Sequence, residues 1–362
     1  MPTRFASESE IADWDNFVAG NPQGADVLQS VEFGRAKERR GWRPRYIVDD
    51  FGGHLALEKS FPGLGKFWYF PKGPNVTTVS GLREFAESFE SFARGAGVFG
   101  YKVEPNILRG EAVGEGGSGA SGGVDKWSAI AEIERLGFVP VGAVQVNQST
   151  VIVDLSEGAE AAKAKFRPRH RTDINRAVRE GARVEAVAAT DENCRIMYDI
   201  YAQTAAGQFD VRSFEYYRAL WQDYDATGKG QLFFVYSGDA VIAGAFVMLL
   251  GTVGSYKDGA SVREKVVYGA SHLLQYAIME WLAERGYTSY DLVGAPPSDR
   301  VDDKTHPFHG LARFKTGFEK HITDYVGAFD KAVVPWKYRL WMSFGERALA
   351  KLHRRKFHDA MY

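Results

Sequence analysis

The chain has 362 residues, 45% of them hydrophobic and 25% charged, the balance of an ordinary globular protein with room for about two domains. Its net charge of −1 excludes a global field that would draw in a polyanion, and one cysteine, Cys194, excludes an intrachain disulfide or a cysteine metal cluster. The N-terminal MPTRFASESEIADWDNF lacks the apolar run of a signal peptide, and the longest apolar stretch, Val241–Val253, is short and broken by glycine. A cytoplasmic location is expected.

In chain order, Ser7-Glu8-Ser9-Glu10 has the spacing of a capping box and opens a helix to about Gly20. Gln29–Arg40 reads as a second helix. RYIVDDFGGHLALE (45–58) reads as strand, tight turn, strand, and FWYFPKGP (67–74) as a buried aromatic strand entering a turn. Gly81–Gly95 is helical and Val98–Val103 a strand. GEAVGEGGSGASGGVDK (110–126) has the composition of a flexible Gly/Ser loop. A helix over Lys126–Leu136 and an alternating strand over Ala143–Asp154 follow. Residues 160–180 are expected to form one long helix, stopped at Gly181. Then come helices over 191–206 and 213–227, two or three strands over 231–258, a helix over Gly269–Arg285, a strand over Thr288–Val293 and an aromatic-rich helix over Pro335–Leu352.

The chain repeats itself. FFVYSGDAVIAGAF (233–246) has the hairpin pattern of 45–58, and residues 273–297 parallel residues 85–106 as amphipathic helix, glycine stop, strand, acid and proline turn. The order helix, helix, hairpin, strand, helix, strand is that of an acetyltransferase-like module. The expected fold is therefore α/β (α+β), with two tandem acetyltransferase-like (GNAT-like) domains of mixed sheets flanked by helices. Residues 1–154 form the first and 155–324 the second.

Several local patterns carry no chemistry. GEGGSG (114–119) and GASGG (119–123) match a dinucleotide fingerprint and a nucleophile elbow, but neither lies between a strand and a helix. His306, His309 and His321 have no acid or cysteine to complete a metal set, so capping or packing is expected of them and no metal is assigned. Cys194, within a predicted helix, reads as a small buried hydrophobe. Charge is uneven: 163–183 carries eight Lys or Arg against two acids, and KLHRRKF (351–357) is also basic. Such patches hold phosphates or are simply solvated faces. REKVVYGASHLLQ (263–275) has the layout of a glycine turn opening a helix, with Arg263 and Lys265 before Gly269. Its free N–H groups suit a phosphate, and a satisfied helix N-terminus fits equally well.

A closer resemblance rests on several segments in order. VLQSVEFGRAKERRGWRP (27–44), RTDINRAVREGARVE (171–185), FDVRSFEYYRALW (209–221), SYKDGAS (255–261), YDLVGA (290–295) and HGLARFKTGFEK (309–320) together resemble the Fem family of nonribosomal peptidyl transferases, which build the cross-bridge of peptidoglycan precursors. No sustained heptad is present, so the chain resembles the armless members without a coiled-coil insertion. The resemblance also implies that the C-terminal segment 325–362 returns to join the first domain. The Gly/Ser loop departs from the family pattern.

The resemblance implies a tRNA-dependent aminoacyltransferase. It would move an amino acid from aminoacyl-tRNA, as co-substrate and with no cofactor, to the stem-peptide amine of UDP-MurNAc-pentapeptide or lipid II. Lys37, Arg212, Tyr216 and Tyr256 match positions that bind the precursor's diphosphate; cations and hydroxyl donors suit one. Phe314 and Lys315 match a Phe-Lys pair near the reacting ends, where Lys315 would neutralise charge at the tRNA acceptor end or the forming oxyanion. Glu104 matches a carboxylate, usually aspartate, that orients the amine or takes its proton; a turn-capping acid fits as well. Arg167, Arg169, Arg171 and Arg176 on the basic stretch suit tRNA phosphates, with Arg354, Arg355 and Lys356 adding to them. Two other readings stay open: an acyl-CoA-dependent N-acyltransferase, and a non-catalytic duplicate that binds muramyl peptide or RNA. A monomer is expected. WKYRLW (336–341) suits a peripheral contact with the inner face of the membrane as well as core packing.

Overall fold

The computed structural model describes residues 2–110, 128–142, 144–205, 209–264, 266–357 and 361–362. Nearly all of the Gly/Ser loop, with both failed patterns, therefore lies outside the described residues, as do Ala143 and Lys265. The chain divides into two compact units, Met1–Gln148 with Asp324–Tyr362, and Ser149–Thr323. The expected boundary at Asp154 moves back accordingly. The stretch read as one strand breaks at a 3-10 turn, Val146–Gln148, and strand Ile152–Asp154 pairs antiparallel with Ser289–Asp291 in the second unit's sheet.

The repeat is visible in both sheets. In the first unit Arg43–Asp49, Gly52–Phe61 and Gly65–Phe70 run antiparallel, and helix Val79–Gly95 then crosses over to Val98–Val103, which lies parallel to Gly65–Phe70. In the second, Gly230–Ser237, Ala240–Leu250 and Val253–Ser261 are followed by helix Ala270–Glu284 and the parallel strand Ser289–Asp291. The paired hairpins turn at Gly52 (φ 106°) and Gly238 (φ 59°), a backbone region that glycine enters without a Cβ penalty. The C-terminal strand Phe329–Ala332 lies between Val98–Val103 and Phe138–Pro140, antiparallel to both.

Each crossover helix is held by its apolar stripe. Leu82, Phe85, Phe89 and Ala93 recur at helical spacing and are fully buried against Trp68, Phe70 and Tyr101, with Phe85 stacked on Phe89 at 5.0 Å. Burying each of the large side chains contributes about 1.5–3 kcal/mol. The helix at the N-terminus has the expected capping box, Ser7 with Glu10, but is two short helices, Glu8–Ala12 and Trp14–Ala19.

The basic stretch departs from one long helix. It is two, Ala159–Lys165 and Pro168–Arg179, because Pro168 pushes Arg167 to extended geometry (ψ 141°) and then takes the first helical position. The C-terminal helix runs further than expected, as Pro335–Leu340, a π-turn Trp341–Gly345 and Glu346–Phe357.

The first unit buries an ion pair. Lys102 Nζ lies 2.8 Å from Asp330 Oδ1, both side chains almost fully buried, and the Tyr338 hydroxyl donates to Asp330 at 3.1 Å. Removing one partner leaves a buried charge uncompensated, which costs about 3–5 kcal/mol. Glu346, 3.7 Å from the same ammonium, places Asp330→Ala near the lower end. Thermal unfolding is expected to drop by at least about 6 °C for a unit of this size. An unchanged melting temperature would show that the pair is not needed.

Candidate functional site

The Phe314–Lys315 pair is placed by a turn. After strand Ser289–Asp291 the chain enters the left-handed region at Val293 (φ 47°) and Gly294 (φ 73°). A β-branched residue there is strained by about 1–3 kcal/mol and persists when its surroundings hold it. Asp291 Oδ1 accepts the Val293 N–H at 2.7 Å and also the Thr150 hydroxyl. Lys315, at the end of helix His309–Lys315, reaches back and donates to the carbonyls of Val293 and, at 2.7 Å, Gly294. Its side chain is buried. Burial pushes its pKa down to about 8, against the opposing pull of Asp291. Lys315 is thus an ammonium held in a cup of carbonyls, not a solvated helix lysine.

Phe314 belongs to an aromatic cluster with two histidines. The His170 Nε2–H donates to the Phe314 carbonyl at 2.8 Å, and the His170 and His272 rings meet edge to face at 4.4 Å. Phe314 lies 5.0 Å from His272 and 5.2 Å from Phe318. Burial lowers both imidazole pKa values, that of His272 to about 4 with His170 adding to the effect, so the pair is neutral at pH 7. Gly317 is required here, since a Cβ would come 2.0 Å from the His170 ring.

Phe314 and His272 also line a 580 Å³ cleft over the start of helix Ala270–Glu284. Arg169, Asp173 and Arg263 line it, as do residues 269–272 at the helix start, where Gly269 (φ 79°) is the cap and makes no side-chain hydrogen bond. Cations beside the positive end of a helix dipole suit a phosphate or carboxylate. Arg169 is highly exposed and loosely paired with Asp173 at 3.8 Å. Arg167 is exposed at the helix start. The other two expected phosphate ligands are committed elsewhere. Arg171 donates to the carbonyls of Ala164 and Phe166, pinning the end of the preceding helix, and Arg176 pairs with Glu180 at 2.6 Å over the Tyr268 ring.

Arg212, Tyr216 and Tyr256 share one region of the second unit. Arg212 lies just before the helix, which Ser213 caps and which begins at Phe214. The guanidinium nevertheless stacks 4.8 Å from the Tyr216 ring. Tyr256, on strand Val253–Ser261, lies against Gly259, where a Cβ would come 1.5 Å from its hydroxyl oxygen. Burial, then Asp258, raises its pKa. The same strand bulges opposite Phe246 and Val247, which makes Lys257 the extra residue. Lys257 pairs with Asp258 at 3.0 Å, and Asp258 also accepts the Trp221 indole N–H at 3.0 Å. Partial burial of Lys257 opposes its charge, but Asp258 outweighs it and raises the pKa.

Two matched residues lie in the first unit. Lys37 is buried on helix Val31–Glu38, its Nζ 5.2 Å over the Phe33 ring. Glu104, at the end of strand Val98–Val103, accepts the Tyr69 hydroxyl at 2.5 Å, the Gln145 N–H at 3.1 Å and the Lys72 N–H at 3.5 Å. Burial raises its pKa against these hydrogen bonds. It is a fixed, buried carboxylate, and Gln145 also donates to Tyr69 at 2.8 Å.

The sequence reading missed the His170–His272 pair, the Lys257–Asp258 pair and Tyr69. SYKDGAS contains the second, but nothing local links His170 to His272, 102 positions apart. Of the histidines weighed for a metal, two have turn roles: His306 Nδ1 accepts the Phe308 N–H, and His309 Nδ1 donates to the Val301 carbonyl. Cys194 is buried, its thiol pushed up to about 11 by burial, with Asp191 and Asp225 adding to the shift.

Comparison with known proteins places this arrangement. Over 90% of the chain it is 20% identical to the lipid II:glycine glycyltransferase of Staphylococcus aureus (strain MRSA252), covering 92% of that protein. The Staphylococcus saprophyticus protein of the same name is 22% identical, over 87% of this chain and 90% of its own length. The crystal structure of FemX superposes with a TM-score of 0.74 at 19% identity, over 94% of this chain and 99% of that one, so the fold is shared. The acetyltransferase (GNAT) domain model matches residues 164–310, which fits the tandem GNAT-like architecture. The FemAB family model matches residues 10–235, well over half the length, and the chain belongs to the FemAB family.

Proposed function

We propose that this protein is an aminoacyltransferase that moves an amino acid from aminoacyl-tRNA to the stem-peptide amine of a peptidoglycan precursor. The observation that carries this reading is its correspondence along nearly the whole chain with proteins named lipid II:glycine glycyltransferase. In the reaction the amine nitrogen attacks the ester carbonyl, the new C–N bond forms, and the ester C–O bond breaks. The proton leaves the amine and the tRNA ribose hydroxyl is released. The ester is already activated, so alignment is the main task, and proximity alone can lower the barrier by about 7–11 kcal/mol at its upper limit. Lys315 supplies a fixed positive charge toward the forming oxyanion. Arg167 and Arg169 meet the tRNA phosphates, while Arg212, Tyr216 and Tyr256 meet the precursor's diphosphate.

One observation favours a second reading, an acyl-CoA-dependent N-acyltransferase. It is the anion-suited cleft before Ala270 within the region matched as a GNAT domain. Labelled amino acid should pass from charged tRNA to the precursor and stop on RNase treatment. Undiminished transfer after RNase, or transfer from a coenzyme A thioester, would overturn the tRNA reading.

A further inference from the structure

The C-terminal helical run, Pro335–Phe357, has two unlike faces. One side is core: Tyr338, Trp341 and His353 are buried, and the Trp341 ring packs 4.7 Å from Phe61 and 5.1 Å from Phe67. The other side leaves large apolar groups in solvent. Trp336, Leu340, Met342, Phe344 and Leu352 are 37% to 60% exposed. Trp336, Leu340 and Phe344 recur every four residues and so fall along one side of the helix. The π-turn at Trp341–Gly345 contributes to this. Its wider turn offsets the drift accumulated from Trp336, so Leu352 is kept off the buried side and falls toward the side of Leu340. Isolated exposed apolar residues need no explanation, but a stripe on one helix does.

The charge around this stripe is of one sign. Lys337, Arg339, Arg347, Lys351, Arg354, Arg355 and Lys356 stand against Glu346, so the segment carries 7 − 1 = +6 in a chain whose net charge is −1. Glu346 itself is occupied by the Tyr362 hydroxyl at 2.8 Å and by Lys102. Arg347, Lys351 and Arg354 also line a 700 Å³ recess with the apolar Val144, Ala350 and Met361.

We propose that the Pro335–Phe357 run docks the protein on an anionic phospholipid bilayer. It would lie in the interface with Trp336, Leu340, Phe344 and Leu352 among the acyl boundary groups and the basic side chains at the headgroups. A helix with an apolar stripe, a tryptophan and flanking cations is built for that depth, and anionic headgroups attract the cations. RNA would also attract the cations, but its phosphates give no return for holding Leu340, Phe344 and Leu352 in water. The bilayer is therefore the occupant that accounts for both features.

The test is sedimentation of the full chain with vesicles, which needs no transfer activity and so stands apart from the proposed reaction. The protein is expected to sediment with vesicles of three parts phosphatidylcholine to one part phosphatidylglycerol. Binding should fall at least tenfold on pure phosphatidylcholine. The triple variant Trp336→Ser, Phe344→Ser, Leu352→Ser changes exposed residues, so its melting temperature should hold while vesicle binding falls at least tenfold. Its binding to uncharged tRNA should match the parent. Equal sedimentation with and without anionic vesicles would overturn the proposal. So would a folded triple variant that binds vesicles like the parent, or one that loses tRNA binding while keeping vesicle binding.

Discussion

Replacing Lys315 by methionine is expected to lower aminoacyl transfer about 100-fold or more, the loss seen when one fixed charge or donor facing a developing oxyanion is removed. Methionine fills nearly the same volume without the charge, so the cavity penalty is small. The carbonyls of Val293 and Gly294 lose their donor, and each unsatisfied group costs about 1–3 kcal/mol. Melting must therefore be measured beside activity. A folded variant that turns over like the parent would remove Lys315 from the chemistry. The parent's pH profile gives a second readout. With its pKa lowered to about 8 by burial, Lys315 loses its proton as pH rises through 8, and single-turnover transfer should fall across that point. Stability moves the other way. Between pH 8 and the ordinary lysine value the unfolded chain holds the proton and the folded site does not. The unfolded state binds more protons there, so stability rises with pH, by up to about 3 kcal/mol. Lys315→Met should reduce that rise, leaving the part due to Lys59, whose pKa burial, with Lys356 adding to it, also lowers to about 8.

Gly269→Ala is expected to destabilise the second unit by more than about 3 kcal/mol, above the usual range for one substitution. Two costs add. The backbone there has φ 79°, a region L side chains rarely adopt, and a Cβ would come 2.1 Å from the Asp173 carbonyl oxygen. That oxygen is backbone inside helix Pro168–Arg179 and has no rotamer by which to move away. The unit should melt at least about 6 °C lower. The substitution also separates two helices that form one wall of the Arg169 cleft, so tRNA affinity should weaken along with stability. A variant with unchanged melting would mean that the helices are not in this close register.

Much of this architecture was legible in the chain. The duplicated hairpin and crossover helix follow from short-range patterns: alternation in 45–58 and 233–246, and the apolar stripe from Leu82 to Ala93. The capping box Ser7–Glu10 is local chemistry and formed as read. Local readings failed where a stronger local rule was overlooked, as at Pro168. They failed also where geometry is set by distant contacts. Arg171 is basic and looked free, yet its guanidinium ties two carbonyls of the preceding turn. Lys37 and Lys315 sit on helices in patterns that suit solvent, yet both are buried. No local pattern announces that Val293 turns left-handed, because that conformation is held by Asp291 and by a lysine 22 positions away. The His170–His272 pair depends on the same kind of closure.

One measurement bears most directly on the reaction: the mass of the acceptor after incubation with the protein and a panel of charged tRNAs. UDP-linked and lipid-linked muramyl peptides are supplied separately. The proposed function predicts that one acceptor gains the mass of a single aminoacyl residue, from particular charged tRNAs and only while the tRNA is intact. No mass gain with any charged tRNA on either acceptor, or a gain that persists when a coenzyme A thioester replaces the tRNA, would contradict it.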